Sequence, residues 1–171
     1  ELAHGSLKEQ FERRVKEGNS GIPRSELLAY LRDVADALDF LYDEHSLQHL
    51  DVKPENLLLI SNRVKVADFG LIKDLGDRSE SLVGGLTPLY APPEVFDGRP
   101  NRNSDQYSLA MVYQELLTGE AAFAGRTVAQ LAAQHLHSSP CLAPLPKTDQ
   151  PVIARALSKD PNRRFPSCRA L

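Results

Sequence analysis

The sequence predicts a mainly α (α+β) fold in one domain: a helical bundle with a small β-hairpin. Three observations carry this. Residues 23–46 and 104–119 repeat apolar side chains at three- and four-residue steps, the period of an amphipathic helix. Between them lie three short runs of strand type, "LQHL", "NLLLI" and "RVKVA". At 171 residues the chain falls within the size of a single domain.

Taken in order, "GSLKEQFERRVKEGN" reads as a short helix, with Ser6 and Glu9 in capping-box spacing and Gly18 or Asn19 as its stop. In "PRSELLAYLRDVADALDFLYDEHS" the residues Leu27, Leu31, Val34, Leu38 and Leu41 form one apolar face, while Arg32, Asp33, Asp36, Asp39 and Asp43 are expected mostly on the other. Ser61-Asn62 supplies a tight turn between the last two strands, where Val64 and Val66 alternate with Arg63 and Lys65. Residues 68–93 lack periodicity and are rich in glycine, serine and proline, so they are expected to form a long loop. In "SDQYSLAMVYQELLTG", Leu109, Val112, Tyr113, Leu116 and Leu117 share a face, with Ser104 as the expected cap and Gly119 as the stop. "TVAQLAAQHLHS" and "DQPVIARALSK" are two further helices, and the final "RFPSCRAL" reads as the start of another.

Composition narrows the function classes. The chain is 42% hydrophobic and 25% charged with net charge −3, and its basic residues are not clustered, so nucleic acid is not an expected partner. Apolar runs such as "LLLI" are four residues long, against the ~20 needed to span a bilayer. Cys141 and Cys168 lack metal-ligand spacing and are expected to be reduced, buried and inert. A cytoplasmic setting fits these features. His4, His45, His135 and His137 share no spacing with carboxylates that would suggest a metal site, and surface or helix-end roles are expected for them.

Chemistry concentrates in "HLDVKPENLLLI", where Asp51, Lys53 and Asn56 fall within six residues and then run into hydrocarbon. Alone, such a trio is most simply a set of solvated loop residues. Twelve residues after Asn56, however, stands Asp68-Phe69-Gly70, at the end of the second strand. If the strands pair through Ser61-Asn62, Asn56 and Asp68 lie at the same edge of one hairpin. An amide oxygen beside a carboxylate suits a hard cation such as Mg²⁺.

"HLDVKPEN" resembles the catalytic loop of protein kinases, and "DFG" their metal-binding motif. "TPLYAPPE" resembles the end of a kinase activation segment, "SDQYSLA" the start of the long central helix, and "DPNRRF" the short motif before the last helix. The five motifs occur in the family's order and cover essentially all of the chain. Lys53-Pro54, with Thr87, resembles the pattern of serine/threonine kinases, and "SDQYSLAMVYQELLTG" is similar to bacterial kinases of the eukaryotic-like type.

The resemblance implies a kinase C-terminal lobe that uses ATP with Mg²⁺ (or Mn²⁺) to phosphorylate serine or threonine on a protein substrate, in signalling. Asp51 would orient the acceptor hydroxyl, Lys53 would neutralise charge on the moving phosphoryl group, and Thr87 would bridge the two. Asn56 and Asp68 would hold the metal ions. Leu58 would pack under adenine, and Glu1 and Ala3, in a hinge-like "ELAHGSL", would offer it backbone groups. Glu94 would pair with Arg164, and Asp105 would bind the backbone of His49 and Leu50. His49 would organise the catalytic loop rather than act as an acid or base.

The resemblance also implies absences and departures. Residues 1–171 would start at the hinge and stop within the last helix, leaving the glycine-rich loop and active-site lysine in an N-terminal lobe of the same protein. The fragment alone would then be inactive, and the parent could be the cytoplasmic part of a membrane-anchored kinase. Leu50 replaces the arginine that commonly grips an activation-loop phosphate, so Ser79 and Ser81 are not expected to be required switches. Pro92 stands for the usual alanine and Ala110 for the usual glycine. A pseudokinase or scaffolding module on the same fold is the alternative, although Asp51, Lys53, Asn56 and Asp68 are all present. A small-molecule kinase would lack the Lys-Pro pair and the activation segment. A purely structural helical domain would leave the ordered motifs unexplained.

Overall fold

The computed structural model describes residues 5–69, 73–74 and 87–171. Expectations placed on Glu1, Ala3, His4, Gly70, Ser79 and Ser81 lie outside the described residues. Helix α1 (Leu7–Lys16) begins in a reciprocal cap. The Ser6 hydroxyl accepts the Glu9 N–H, and the Glu9 carboxylate accepts the Ser6 N–H. Helix α2 (Arg24–His45) ends at Ser46, whose φ of 56° stops the helix in a left-handed residue.

The strands are short. Strand β2 (Leu57–Ile60) pairs antiparallel with β3 (Arg63–Val66) in the register Leu57 to Val66 and Ile60 to Arg63. Ser61 and Asn62 both take positive φ, 49° and 62°, the geometry of a tight two-residue hairpin. Strand β1 (Leu47–Gln48) pairs with β4 (Lys73–Asp74). The stretch expected to be wholly loop therefore contains a strand, too short to show any period.

Helix α3 (Pro93–Phe96) leads to α4 (Ser104–Thr118), followed by α5 (Val128–His137) and α6 (Gln150–Ala156). In the main core cluster, Leu27, Leu31, Val34 and Leu38 of α2 join Tyr107, Met111, Val112 and Leu116 of α4, with Leu57 and Val64 of the hairpin. Each fully buried side chain of this size stabilises the fold by roughly 1.5–3 kcal/mol. Helix α4 is buried nearly all round, Gln106 and Gln114 included, rather than on one face. The chain entering α2 crosses it at Gly21, where an added Cβ would lie 2.4 Å from the Leu116 carbonyl. Only glycine allows that approach.

Several expectations are corrected. Asp39 is buried, because its carboxylate accepts the backbone N–H groups of Cys168 and Arg169 at 2.8 and 2.9 Å. Ser104 is not the cap of α4. Asn103 holds that position, while the Ser104 hydroxyl donates to Glu94 at 2.8 Å. Pro166 to Ala170 makes bends and a turn instead of a helix, since a lone turn orders several residues for few hydrogen bonds. Cys168 is buried but Cys141 is exposed. His135 stands at the helix end expected for it, in the last turn of α5, but is fully buried rather than at the surface. Among the described residues no helix is long and apolar enough to cross a membrane.

Candidate active site

The loop after β1 is shaped from below by α4. Asp105, in the first turn of that helix, accepts the N–H groups of His49 and Leu50 at 2.8 Å each. Burial pushes its carboxyl upward, while the His49 and Leu50 donors pull it down; the helix N-terminus also favours the anion. With both amides turned to Asp105, "LQHL" cannot continue as a strand past Gln48, and Leu50 takes φ of 61°. The His49 ring completes the support. Its Nδ1 accepts the Asp51 N–H at 3.3 Å, so Nε2 carries the proton and donates to the Ala67 carbonyl at 3.1 Å.

Asp51, buried at 8% exposure, is the node of the site. The Thr87 hydroxyl donates to its Oδ1 at 3.0 Å, and Lys53 Nζ lies 2.6 Å from its Oδ2. Lys53 Nζ also donates to the Thr87 oxygen at 3.0 Å, closing a triangle of carboxylate, ammonium and hydroxyl. Pro54–Asn56 forms a single tight turn that returns Asn56 to the same carboxylate. Its amide nitrogen donates to the Asp51 carbonyl and to Oδ2, each at 2.9 Å, which turns the amide oxygen away from Asp51.

Asn56 and Asp68 come to one end of the hairpin, opposite the Ser61–Asn62 turn. The Asn56 carbonyl accepts the Ala67 N–H at 2.8 Å, and Asp68 follows directly with φ of 60°. Among the described residues no three His, Cys, Asp or Glu side chains gather into a metal cage. An outward amide oxygen and one carboxylate fit a hard cation that keeps waters and shares phosphate oxygens, as Mg²⁺ does. Leu58, half-buried on β2, lies beside the chain at Gly5 and Ser6: Leu59 N–H donates to the Gly5 carbonyl at 2.8 Å. Phe69 is 49% exposed and meets the His49 ring edge-on.

The segment from Thr87 onward is held by buried polar contacts. Arg164 donates to Glu94 through both terminal nitrogens at 2.7 and 2.8 Å, and also to the carbonyls of Asn103 and Ser158. Ser108 donates to the Tyr90 carbonyl at 2.9 Å, and the Tyr90 hydroxyl to Glu115 at 2.5 Å. Leu50 is buried against Val95 of α3, so an apolar contact joins the loop to this segment. Sequence reasoning missed the contribution of α5, where His135 Nε2 donates to the Leu89 carbonyl at 3.1 Å. The available signal was that His135 stands four residues after Leu131, on the same helical face.

Comparison with known proteins agrees in kind. A sequence profile described as "Protein kinase domain" matches residues 2–171. The serine/threonine-protein kinase PknJ of Mycobacterium tuberculosis is 40% identical over 154 residues, covering 79% of this chain and 25% of that protein. PknF of the same organism is 33% identical over 166 residues, covering 87% of this chain and 34% of its own length. PknB of Mycolicibacterium smegmatis is 34% identical over 146 residues, 79% of this chain and 23% of that kinase. This chain thus spans about a quarter to a third of the length of these relatives. With the profile matching almost every residue, the chain belongs to the protein kinase domain family.

Proposed function

We propose that this protein transfers the terminal phosphate of ATP to serine or threonine hydroxyls of protein substrates, and that residues 1–171 are the C-terminal lobe of its catalytic domain. The observation that supports this most directly is the triangle of Asp51, Lys53 and Thr87 with the Asn56 amide on the same carboxylate. Asp51 orients the acceptor hydroxyl and takes up its proton as the bond to phosphorus forms. Lys53 offsets the charge on the transferring group, and Thr87 keeps the two at a constant separation. The Asn56 oxygen and Asp68 hold Mg²⁺ (or Mn²⁺), which supplies charge neutralisation on the phosphates. Leu58 packs under the adenine ring, and the backbone at Glu1 and Ala3 reads its edge.

An N-terminal lobe of the same protein covers the other half of the nucleotide. Residues 1–171 alone are inactive on this reading, since positioning supplies most of the catalysis in phosphoryl transfer. The protein works in the cytoplasm in signalling, either free or as the cytoplasmic part of a membrane-anchored kinase. The test is turnover of ATP and Mg²⁺ by the full-length protein with and without Asp51→Asn. We expect a fall of at least about 10²-fold, the scale for losing a positioned general base. Equal rates in the two proteins would refute the assignment and favour a binding module.

A further inference from the structure

Helix α5 lies outside the triangle described above, yet its one fully buried polar side chain is bonded to the segment that carries Thr87. His135 is 0% exposed. Its ring sits among Phe123, Tyr107 and Phe96, with centroids 4.6, 5.6 and 5.9 Å away. A leucine or phenylalanine could fill such a space. What filling the space does not explain is that both ring nitrogens are engaged. Nε2 meets the Leu89 carbonyl at 3.1 Å and Nδ1 meets the Tyr107 hydroxyl at 2.8 Å.

Chemistry fixes the direction of both bonds. A carbonyl only accepts, so Nε2 carries the proton; Nδ1 then accepts from the Tyr107 hydroxyl. Tyr107 in turn lies under the Arg164 guanidinium, 4.9 Å from ring to cation, and Arg164 grips Glu94. The imidazole is therefore aimed by the same buried network that anchors the far end of the segment.

Leu89 is two residues beyond Thr87, inside a closed turn: the Tyr90 N–H donates to the Thr87 carbonyl at 3.1 Å. A shift of the Leu89 carbonyl is transmitted through that turn to the Thr87 hydroxyl, which contacts both Asp51 and Lys53 at 3.0 Å. We propose that His135 is a positioning residue for phosphoryl transfer: by holding the Leu89 carbonyl it fixes Thr87 against Asp51 and Lys53. This rests on the kinase reading above. It adds a helix from outside the motif set to the machinery, acting only through the backbone of residues 87–90.

The test is a double-mutant cycle in the full-length protein. His135→Phe keeps a flat ring without an N–H, and it is crossed with Thr87→Ala; kcat and KM are read for ATP and for a serine/threonine peptide. His135→Phe should lower kcat about tenfold, the scale of a lost buried hydrogen bond that shifts a reacting group, with KM for ATP within about twofold. In the Thr87→Ala background it should add less than about twofold, because the route it acts through is already gone. Losses that multiply, or an effect on ATP binding as large as that on kcat, would overturn the proposal.

Nitrogen NMR of the wild-type ring needs neither variant nor activity, and stays decisive if His135→Phe does not fold. It should show neutral His135 with its proton on Nε2. A proton on Nδ1 would overturn the proposal, since no N–H would then face Leu89. If the wild-type protein transfers no phosphate at all, the kinase reading fails, and the contact with Leu89 is judged by the tautomer alone.

Discussion

Replacing Glu94 with glutamine keeps the shape of the side chain and removes its charge, which makes the Glu94–Arg164 pair a direct probe of how the segment after Thr87 is held. The Arg164 side chain is 0% exposed and that of Glu94 is 9% exposed, so water screens neither. Removing one partner of a buried pair strands the other charge and costs about 3–5 kcal/mol. Arg164 still keeps the carbonyls of Asn103 and Ser158, both at 2.9 Å, and the face of Tyr107. The lower end, about 3 kcal/mol, is therefore expected. At roughly 2–4 °C per kcal/mol for a domain of this size, Tm should fall by about 6–12 °C. Thermal unfolding of the full-length protein, followed for the transition of this domain, measures it. A companion Glu94→Gln/Arg164→Met double variant should lose less than the sum of the two single changes, because no stranded charge remains. A loss below about 1 kcal/mol for Glu94→Gln, the value of an exposed pair, would refute the reasoning.

Three more outcomes follow. Burial, and then the Lys159 ammonium beside it, lower the pKa of His135 to about 4. Below about pH 6.5 the unfolded chain takes up a proton that the folded one refuses, so stability is lost as pH falls from there towards 4, on the order of 3 kcal/mol in all. Melting at pH 7.5 and 4.5 should show a smaller acid loss in His135→Phe than in wild type; equal losses would count against it. Asp39→Ala leaves the buried N–H of Cys168 and the N–H of Arg169 without their acceptor and should cost about 1–3 kcal/mol by denaturant unfolding, whereas no change would mean another acceptor takes over. Leu50 is buried on Val95 and offers no phosphate ligand, so alanine at both Ser79 and Ser81 should leave phosphorylation within about twofold. Abolished activity in that variant would show that the segment depends on a phosphate after all.

Local chemistry was legible in the sequence. The α1 cap, the amphipathic helix α2, the tight turn at Ser61 and Asn62, and the closeness of Asp51 to Asn56 all depend on contacts within a few residues, where spacing sets geometry. Ordered motifs extended this to the family. The burial of Asp39, the role of Ser104 and the burial of His135 were not legible for one shared reason. Each is a polar residue whose position is set by a partner far away in the chain: Cys168 and Arg169 for Asp39, Glu94 for Ser104, Leu89 and Tyr107 for His135.

By itself, then, the sequence determined which residue types are at hand for phosphoryl chemistry, on what short elements, and in what family order. Only the tertiary structure decided that Asp39 holds the Cys168 and Arg169 amides, that the Ser104 hydroxyl bonds Glu94, and that α5 reaches the segment through Leu89. The physical reason is burial. A carboxylate or imidazole removed from water must find a hydrogen-bond partner, and which partner it finds is settled by how the helices pack, which no run of neighbouring residues encodes.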